Sequence, residues 1–424
     1  MSAMTSFAEL LGSVGRKKTN RRNRVERRSG KRFWSHDRRG GGRRMDDMAW
    51  EFDPWLFGSA AMLLVIGFIM LSSASVHISY RLTGQPWLFT LRQGGYIGLG
   101  LFFAYFVLRV RLSRWEQWGP MIMVVGIILL IAVLIPGIGR EVKGASRWIH
   151  LFFFNLQVSE VVKLGVVIYL AGYLVRRGNE VRNSVKGFLK PMVVLSLISL
   201  LLLLEPDFGA TTVMMATALG LMFLAGVRLW QFGILVAIVA AGLAALAVAA
   251  PYRLQRLTSF VDPWADADNS GYQLTQSLVA IGRGEYWGVG LGNSIQKLFY
   301  LPEAHTDFIF AVLAEETGMF GAFVVIVLFS VIVFRTFKIG MRAEKQGAQF
   351  AAYLVYGLGL WIGLQAFINI GVNLGALPTK GLTLPLISYG GSSMVVTCVV
   401  IAFMLRVDME VRHLERQAER GVAR

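Results

Sequence analysis

Beginning at Trp55 the chain returns repeatedly to apolar stretches long enough to cross a lipid bilayer, and this recurrence narrows the possible folds more than any motif does. A hydrocarbon core about 30 Å thick takes roughly 20 apolar residues per helix. Runs of this kind predict helices over 55–75, 87–108, 120–136, 157–175, 190–204, 210–226, 229–250, 307–334, 350–374 and 388–406. Glu205, Pro206, Asp207 and Gly209 interrupt an otherwise continuous apolar stretch, so a turn is expected there. The 424 residues are 55% hydrophobic and 16% charged, more apolar than a soluble core requires, and the excess has to face lipid. The fold class read from this pattern is an all-α integral membrane protein with about ten transmembrane helices.

The formal net charge of +17 is concentrated at one end, where residues 1–44 hold 14 lysines and arginines against Glu9, Glu26 and Asp37. A basic arm can bind nucleic acid, but beside a membrane helix it reads as an inside-retention signal drawn to anionic lipid headgroups, and no nucleic-acid partner is expected. The arm lacks an apolar core and a small-residue cleavage site before Trp55, so the first helix is expected to act as an uncleaved signal. With the arm inside, every substantial basic cluster falls on one face: Arg109 to Arg114, Arg176 to Lys190, Arg228, Arg335 to Lys345, and the tail after Arg406. Both termini are then cytoplasmic. The outer face receives 137–155, the long loop 251–306 between the seventh and eighth helices, and 375–387. Residues 1–50 read as a disordered basic tail, 51–406 as the membrane domain and 407–424 as a second cytoplasmic tail. The single cysteine, Cys398, lies in the last apolar run and can form no internal disulfide.

Residues able to do chemistry concentrate where the long outer loop meets the eighth helix, in Leu301-Pro302-Glu303-Ala304-His305-Thr306-Asp307-Phe308-Ile309-Phe310. Thr306 or Asp307 can cap that helix, satisfying its free amides for about 1 kcal/mol. Asp307 can equally act on a substrate proton, because a partly buried carboxylate beneath a loop gains basicity. The residues alone leave both readings open. Glu315 and Glu316 follow roughly 12 to 14 Å further along a helix, within the hydrocarbon, where carboxylates are costly unless paired, protonated or wet. Their bland reading is a helix-packing ion pair with Lys163 of the fourth helix, which has Glu160 and Ser159 on neighbouring positions of its own helix. Arg140, Lys143, Arg147, Arg283, Lys297 and Lys380 supply the outer face with cations, either as headgroup anchors or as neutralisers of a diphosphate.

Other signals fail. Asp266, Asp268, Ser270 and Gly271 begin like an EF-hand loop, but Ser277 stands where the bidentate Glu belongs. The Gly288, Gly290, Gly292 series lacks the βαβ setting of a dinucleotide site and reads as a flexible loop. The absence of a Walker A sequence argues against intrinsic ATP-driven transport.

Several separated motifs resemble the SEDS family of shape, elongation, division and sporulation proteins from the first helix to the last. They are Gly144-Ala145-Ser146-Arg147-Trp148-Ile149, Ser159-Glu160 with Lys163, Pro206-Asp207-Phe208-Gly209, the Leu301 to Phe310 stretch, and Pro385-Leu386-Ile387-Ser388-Tyr389-Gly390-Gly391-Ser392-Ser393. Asn293-Ser294-Ile295-Gln296-Lys297 and Leu377-Pro378-Thr379-Lys380-Gly381-Leu382-Thr383 are similar to the division branch rather than the elongation branch.

The resemblance implies a ten-helix fold at the division septum of a bacterial inner membrane, with 251–306 periplasmic. It implies a peptidoglycan glycosyltransferase that joins lipid II disaccharide units by inverting transfer and releases a polyprenyl diphosphate. Its implied partners are a class B penicillin-binding protein transpeptidase (FtsI-like) and the FtsQ, FtsL and FtsB division proteins. The Asp of the family's His-Thr-Asp-Phe motif, Asp307 here, is then the catalytic carboxylate and overturns the capping reading. Arg147, Lys297, His305, Lys380 and Ser388 are the expected substrate-binding residues. Lys163, Glu160, Glu315 and Glu316 remain structural or cavity residues. Magnesium or manganese is an alternative source of positive charge, with no ligand set identified. A lipid II flippase and a non-catalytic divisome scaffold are the rival readings. Three positions depart from the family's pattern: Glu205 in place of Gln, Val158 in place of Pro, and Asn155 at a position often basic.

Overall fold

The computed structural model describes residues 51–142, 145–151, 154–227, 262–269, 271–379 and 381–422, with scattered positions between 230 and 260. The basic arm 1–50, most of the expected helix 229–250, residues 251–259 and Lys143, Gly144 and Lys380 lie outside this set. Among the described residues the helices are α1 (Pro54–Thr83), α2 (Leu88–Arg109), α3 (Leu112–Leu134), α4 (Val158–Asn183), α5 (Val185–Leu204), α6 (Phe208–Leu224), α7 (Tyr272–Gly284), α8 (Ile309–Lys345), α9 (Gln349–Asn373) and α10 (Gly391–Val422). Seven of them are long and apolar enough to cross a membrane, α1 to α5, α8 and α9, and α6 is a shorter apolar helix. The chain is a multi-pass membrane protein. Several helices, α1, α4, α5 and α10 among them, outrun the apolar stretches that predict them because backbone hydrogen bonding continues past the last lipid-facing side chain. Thus α1 extends to Thr83, where Gly84 at φ 71° ends it in the left-handed conformation.

The helix ends follow local chemistry. Asp53 accepts hydrogen bonds from the amides of Trp55 and Leu56 at 3.1 and 3.0 Å, and Pro54 opens α1 where its missing N–H costs nothing. Asp207 caps α6 by accepting from Ala210 N at 3.1 Å, which makes the turn expected at 205–209. α4 and α9 form the buried centre, whereas α2 and α3 turn most of their residues outward. α10 packs along α2 and continues through residues read as a tail. There Arg342 binds Asp408 at 2.9 Å and Glu415 at 2.5 Å. At the same end of the bundle Arg335 pairs with Asp53. Burial alone would raise the Asp53 carboxyl, but the hydrogen bonds from Arg335 and Leu56 and the charges of Arg335 and Arg412 hold it below the usual carboxylate range.

Two features differ from the expectation. The segment after α3 is a three-stranded antiparallel sheet, β1 (Gly139–Val142), β2 (Ala145–Leu151) and β3 (Phe154–Gln157), in the order β1-β2-β3, so the fold is mostly rather than wholly helical. Cα pairs run from Trp148↔Gln157 to Leu151↔Phe154, and a register irregularity falls at Arg140/Glu141. The second difference is in α8, whose helical backbone is interrupted at Gly318 (φ 68°, ψ −169°). The main chain of 285–290 docks into that break: Val289 N and Gly290 N donate to the carbonyls of Glu315 and Glu316 at 3.0 and 3.1 Å, and Met319 N donates to Glu285 O at 2.8 Å. A Cβ on Gly318 would lie 2.4 Å from Gly288 N, so only glycine allows the approach. The glycine series read as a flexible loop is therefore a fastening between the outer loop and α8.

Candidate active site

The turn 301–308 delivers Asp307 to the start of α8. Thr306 does not cap this helix, since its hydroxyl donates back to Glu303, at 3.2 Å to the carbonyl and 2.9 Å to Oε2. The N-cap position is Phe308. The amide of Ala311 in the first turn is shared between Phe308 O and, from across the bundle, Asn373 Oδ1 on α9, each at 3.1 Å. The main-chain carbonyl of Asp307 accepts from both Asn369 Nδ2 (2.9 Å) and Asn373 Nδ2 (3.0 Å). Its half-buried carboxylate faces the 381–383 segment, and a Cβ added to Gly381 would lie 3.0 Å from Oδ2.

Beside the turn is an aromatic wall. The His305 ring lies 5.6 Å from Phe89 and 5.8 Å from Tyr389, and Phe89 meets Tyr389 edge-on at 5.1 Å. Tyr389 N donates to His305 O at 3.0 Å. Burial, with Tyr96 nearby, pushes the Tyr389 hydroxyl up to about 12 although the exposed Arg92 opposes the shift. Ser388, expected to bind substrate, is buried instead: its hydroxyl donates to Thr306 O at 2.6 Å and accepts from Leu384 N at 2.7 Å. It pins the turn rather than lining an opening.

The cations are distributed differently from the expectation. Lys297 is buried, with Nζ 2.7 Å from Glu316 and 2.8 Å from the Ser73 hydroxyl, so its charge is already neutralised. Glu315 pairs with Arg283 at 2.7 Å and accepts from Ser294 Oγ and Ile295 N. Neither carboxylate pairs with Lys163: both are taken up by cations of the outer loop, Arg283 and Lys297. Lys163 pairs with Glu160 at 2.9 Å, donates to Gln365 at 3.1 Å and lies 4.9 Å over the Trp361 ring. Arg147 is half-buried and donates to the carbonyls of Glu205 (3.1 Å) and Pro206 (2.5 Å). Asn155 bonds His150 at 2.9 Å, and its carbonyl accepts from Ser392, whose oxygen also takes Gln157 N at 2.7 Å, tying β3 to α10.

Glu205 is fully buried, and among the described residues neither carboxylate oxygen has a hydrogen-bond partner. Burial above all, with Asp207 adding and Arg147 opposing, pushes its carboxyl up to about 8. Among the described residues no group of three or more His, Cys, Asp or Glu is arranged to hold a metal ion. Sequence reading missed Asn369, Asn373, Gln365 and Ser73. The first three recur every four residues in the apolar run of α9, a signal available from the sequence.

A helical membrane bundle with a carboxylate on a hydrogen-bonded turn, aromatic rings around that turn's histidine and buried ion pairs in its interior defines a polytopic membrane protein with a built polar site. The chain belongs to the FtsW/RodA/SpoVE family of cell cycle proteins, which matches it over residues 54–413 and bears out the SEDS resemblance. It is 59% identical over 360 residues to a Probable peptidoglycan glycosyltransferase FtsW of Nitrosococcus halophilus, covering 85% of this chain and 93% of that protein. A protein of the same description from Coxiella burnetii is 53% identical, covering 86% of this chain and 98% of its own length. Among solved structures, a chain from a study of how a peptidoglycan synthase complex coordinates polymerization and crosslinking superimposes with a TM-score of 0.69 at 25% identity, covering 85% of this chain and 98% of that one. The Rod shape determining protein RodA of Thermus thermophilus gives 0.62 at 26% identity, covering 84% and 96%.

Proposed function

We propose that this protein is a septal peptidoglycan glycosyltransferase that polymerises lipid II, with Asp307 as the general base. The observation that carries the reading is the half-buried Asp307 carboxylate, on a main chain held by two α9 amides. The acceptor N-acetylglucosamine 4-hydroxyl loses its proton to Asp307 as its oxygen attacks the anomeric carbon of the muramyl diphosphate. The new glycosidic bond forms as the bond to the polyprenyl diphosphate breaks, in one inverting displacement. The leaving diphosphate needs positive charge. Arg147, whose guanidinium rests on carbonyls, and Lys380 are assigned that task, and His305 the wall of the sugar site. Lys297 is withdrawn from the set because Glu316 neutralises it.

The same reading gives the protein a class B penicillin-binding protein as partner, with FtsQ, FtsL and FtsB beyond it, in the inner membrane at the septum. Its basic tails are cytoplasmic and 251–306 periplasmic. The described polar groups that motivated the flippase reading, Lys163, Glu315 and Glu316, are all held in ion pairs, and nothing favours a transport path over catalysis.

The test is polymerisation of labelled lipid II by the purified protein with its class B partner. Glycan strands from wild type and none from Asp307→Asn, with both complexes intact, are the expected result. Equal polymer from the two removes Asp307 as base.

A further inference from the structure

One face of α9 carries side-chain amides at intervals of one helical turn: Gln365, Asn369 and Asn373, each 1% exposed or less. Buried amides are costly unless satisfied, so a row of three in an apolar helix has to be explained by what they bind. Each reaches out of its own helix to main chain. Gln365 Nε2 donates to Thr383 O at 2.9 Å, and Asn369 Nδ2 donates to Leu382 O at 2.5 Å and to Asp307 O at 2.9 Å. Asn373 Nδ2 reaches Asp307 O at 3.0 Å while its Oδ1 takes the amide of Ala311.

The two strands of chain that this row fixes, 381–383 and the turn ending at Asp307, are the ones between which the Asp307 carboxylate lies. The row is also anchored at its other end, since Gln365 Oε1 accepts from Lys163 and from Trp361 Nε1.

We propose that Asn369 and Asn373 are positioning residues for catalysis: by holding the carbonyl of Asp307 from α9 they fix the 307–308 peptide plane and so aim the carboxylate over Gly381. The inference rests on the reading of Asp307 as general base. Helix α8 alone cannot supply this constraint. Ala311 N goes to Phe308 O and Asn373 Oδ1, so the Asp307 carbonyl is outside the helical ladder and its place is set by α9. Catalytic geometry is sensitive to displacements of about an ångström. The amides contribute orientation without touching the sugar or the diphosphate, so their loss should lower turnover and leave substrate affinity alone.

The experiment compares wild type, Asn369→Ala, Asn373→Asp and Ser277→Ala, each purified with the class B partner and assayed for initial rates over a range of lipid II concentrations. Asn373→Asp keeps an oxygen for Ala311 N and puts a carboxyl oxygen in place of the amide donors. Ser277→Ala removes a hydrogen bond to Asn373 O, at the same end of α9, without touching either amide. Both asparagine variants should lose at least ~10-fold in kcat with KM within about twofold of wild type, and Ser277→Ala should match wild type. Combined with Asp307→Asn, Asn369→Ala should cause no further loss of the residual rate. Unchanged kcat in both asparagine variants overturns the proposal, as does an equal fall in Ser277→Ala or a further loss on the Asp307→Asn background. If Asp307→Asn itself retains full activity, the general-base reading fails instead, and that outcome is visible independently of the asparagine series.

Discussion

Gly381 lies directly against the Asp307 carboxylate, and the space a methyl group would take at 381 is 3.0 Å from Oδ2. Contact at that distance is tighter than ordinary van der Waals packing, so one of the two has to move. The 381–383 segment is held by Asn369 and Gln365, so a methyl group at 381 has to press on the carboxylate. Gly381→Ala is therefore expected to fold and to bind its partner while polymerising lipid II roughly 10-fold more slowly, the scale of loss that a misplaced catalytic group produces. Initial-rate assays alongside a thermal melt separate this outcome from simple destabilisation.

Glu205 gives a pH dependence whose sign is fixed by its burial. In the unfolded chain the carboxyl ionises near 4.5, whereas in the folded protein it keeps its proton up to about 8. Between these values the folded state binds the extra proton, so stability falls as pH rises through the window and is lowest above it. Glu205→Gln keeps the size and removes the ionisation. It should melt a few degrees higher than wild type at pH 9, to order of magnitude, and the two should converge near pH 4.5. A variant that melts lower at pH 9 would mean that the buried carboxyl has a partner worth more than its desolvation.

The Lys297–Glu316 pair, 3% and 0% exposed, should respond differently to breaking and to replacement. Lys297→Met strands a buried carboxylate, for which a cost of about 3–5 kcal/mol is expected. Lys297→Met combined with Glu316→Met removes both charges and should recover most of that loss. Chemical denaturation of the three forms in the same detergent checks it, and equal destabilisation of single and double variants would show that the pair's worth is in packing rather than charge.

How much of this was legible in the sequence depends on whether the signal was local. The long apolar runs identify nine of the described helices, because lipid imposes length and composition on each run separately. The Leu301–Phe310 stretch is equally local, and it marks the Asp307 turn. The partners of Glu315 and Glu316 were not legible. Their partners Arg283 and Lys297 lie 32 and 19 positions away in the outer loop, whose main chain at Gly288 packs against Gly318, a tertiary contact that spacing along one helix does not report. The sheet at 139–157 was hidden for a related reason: its strands are short, and pairing rather than composition defines them. The roles of Ser388 and Asn373 depend on contacts with residues 82 and 62 positions away, which no spacing rule reports.

The ion pairs in the described interior have an electrical consequence. A charge moved through the membrane potential exchanges about 2.3 kcal/mol per 100 mV. Glu160, Glu315 and Glu316 each stand against one cation, so any motion that carries a pair together transfers no net charge. These three pairs thus contribute no gating charge. Collapsing the potential across a proteoliposome membrane should leave the protein's turnover unchanged, and the work of chain extension is left to the bond that the substrate brings with it.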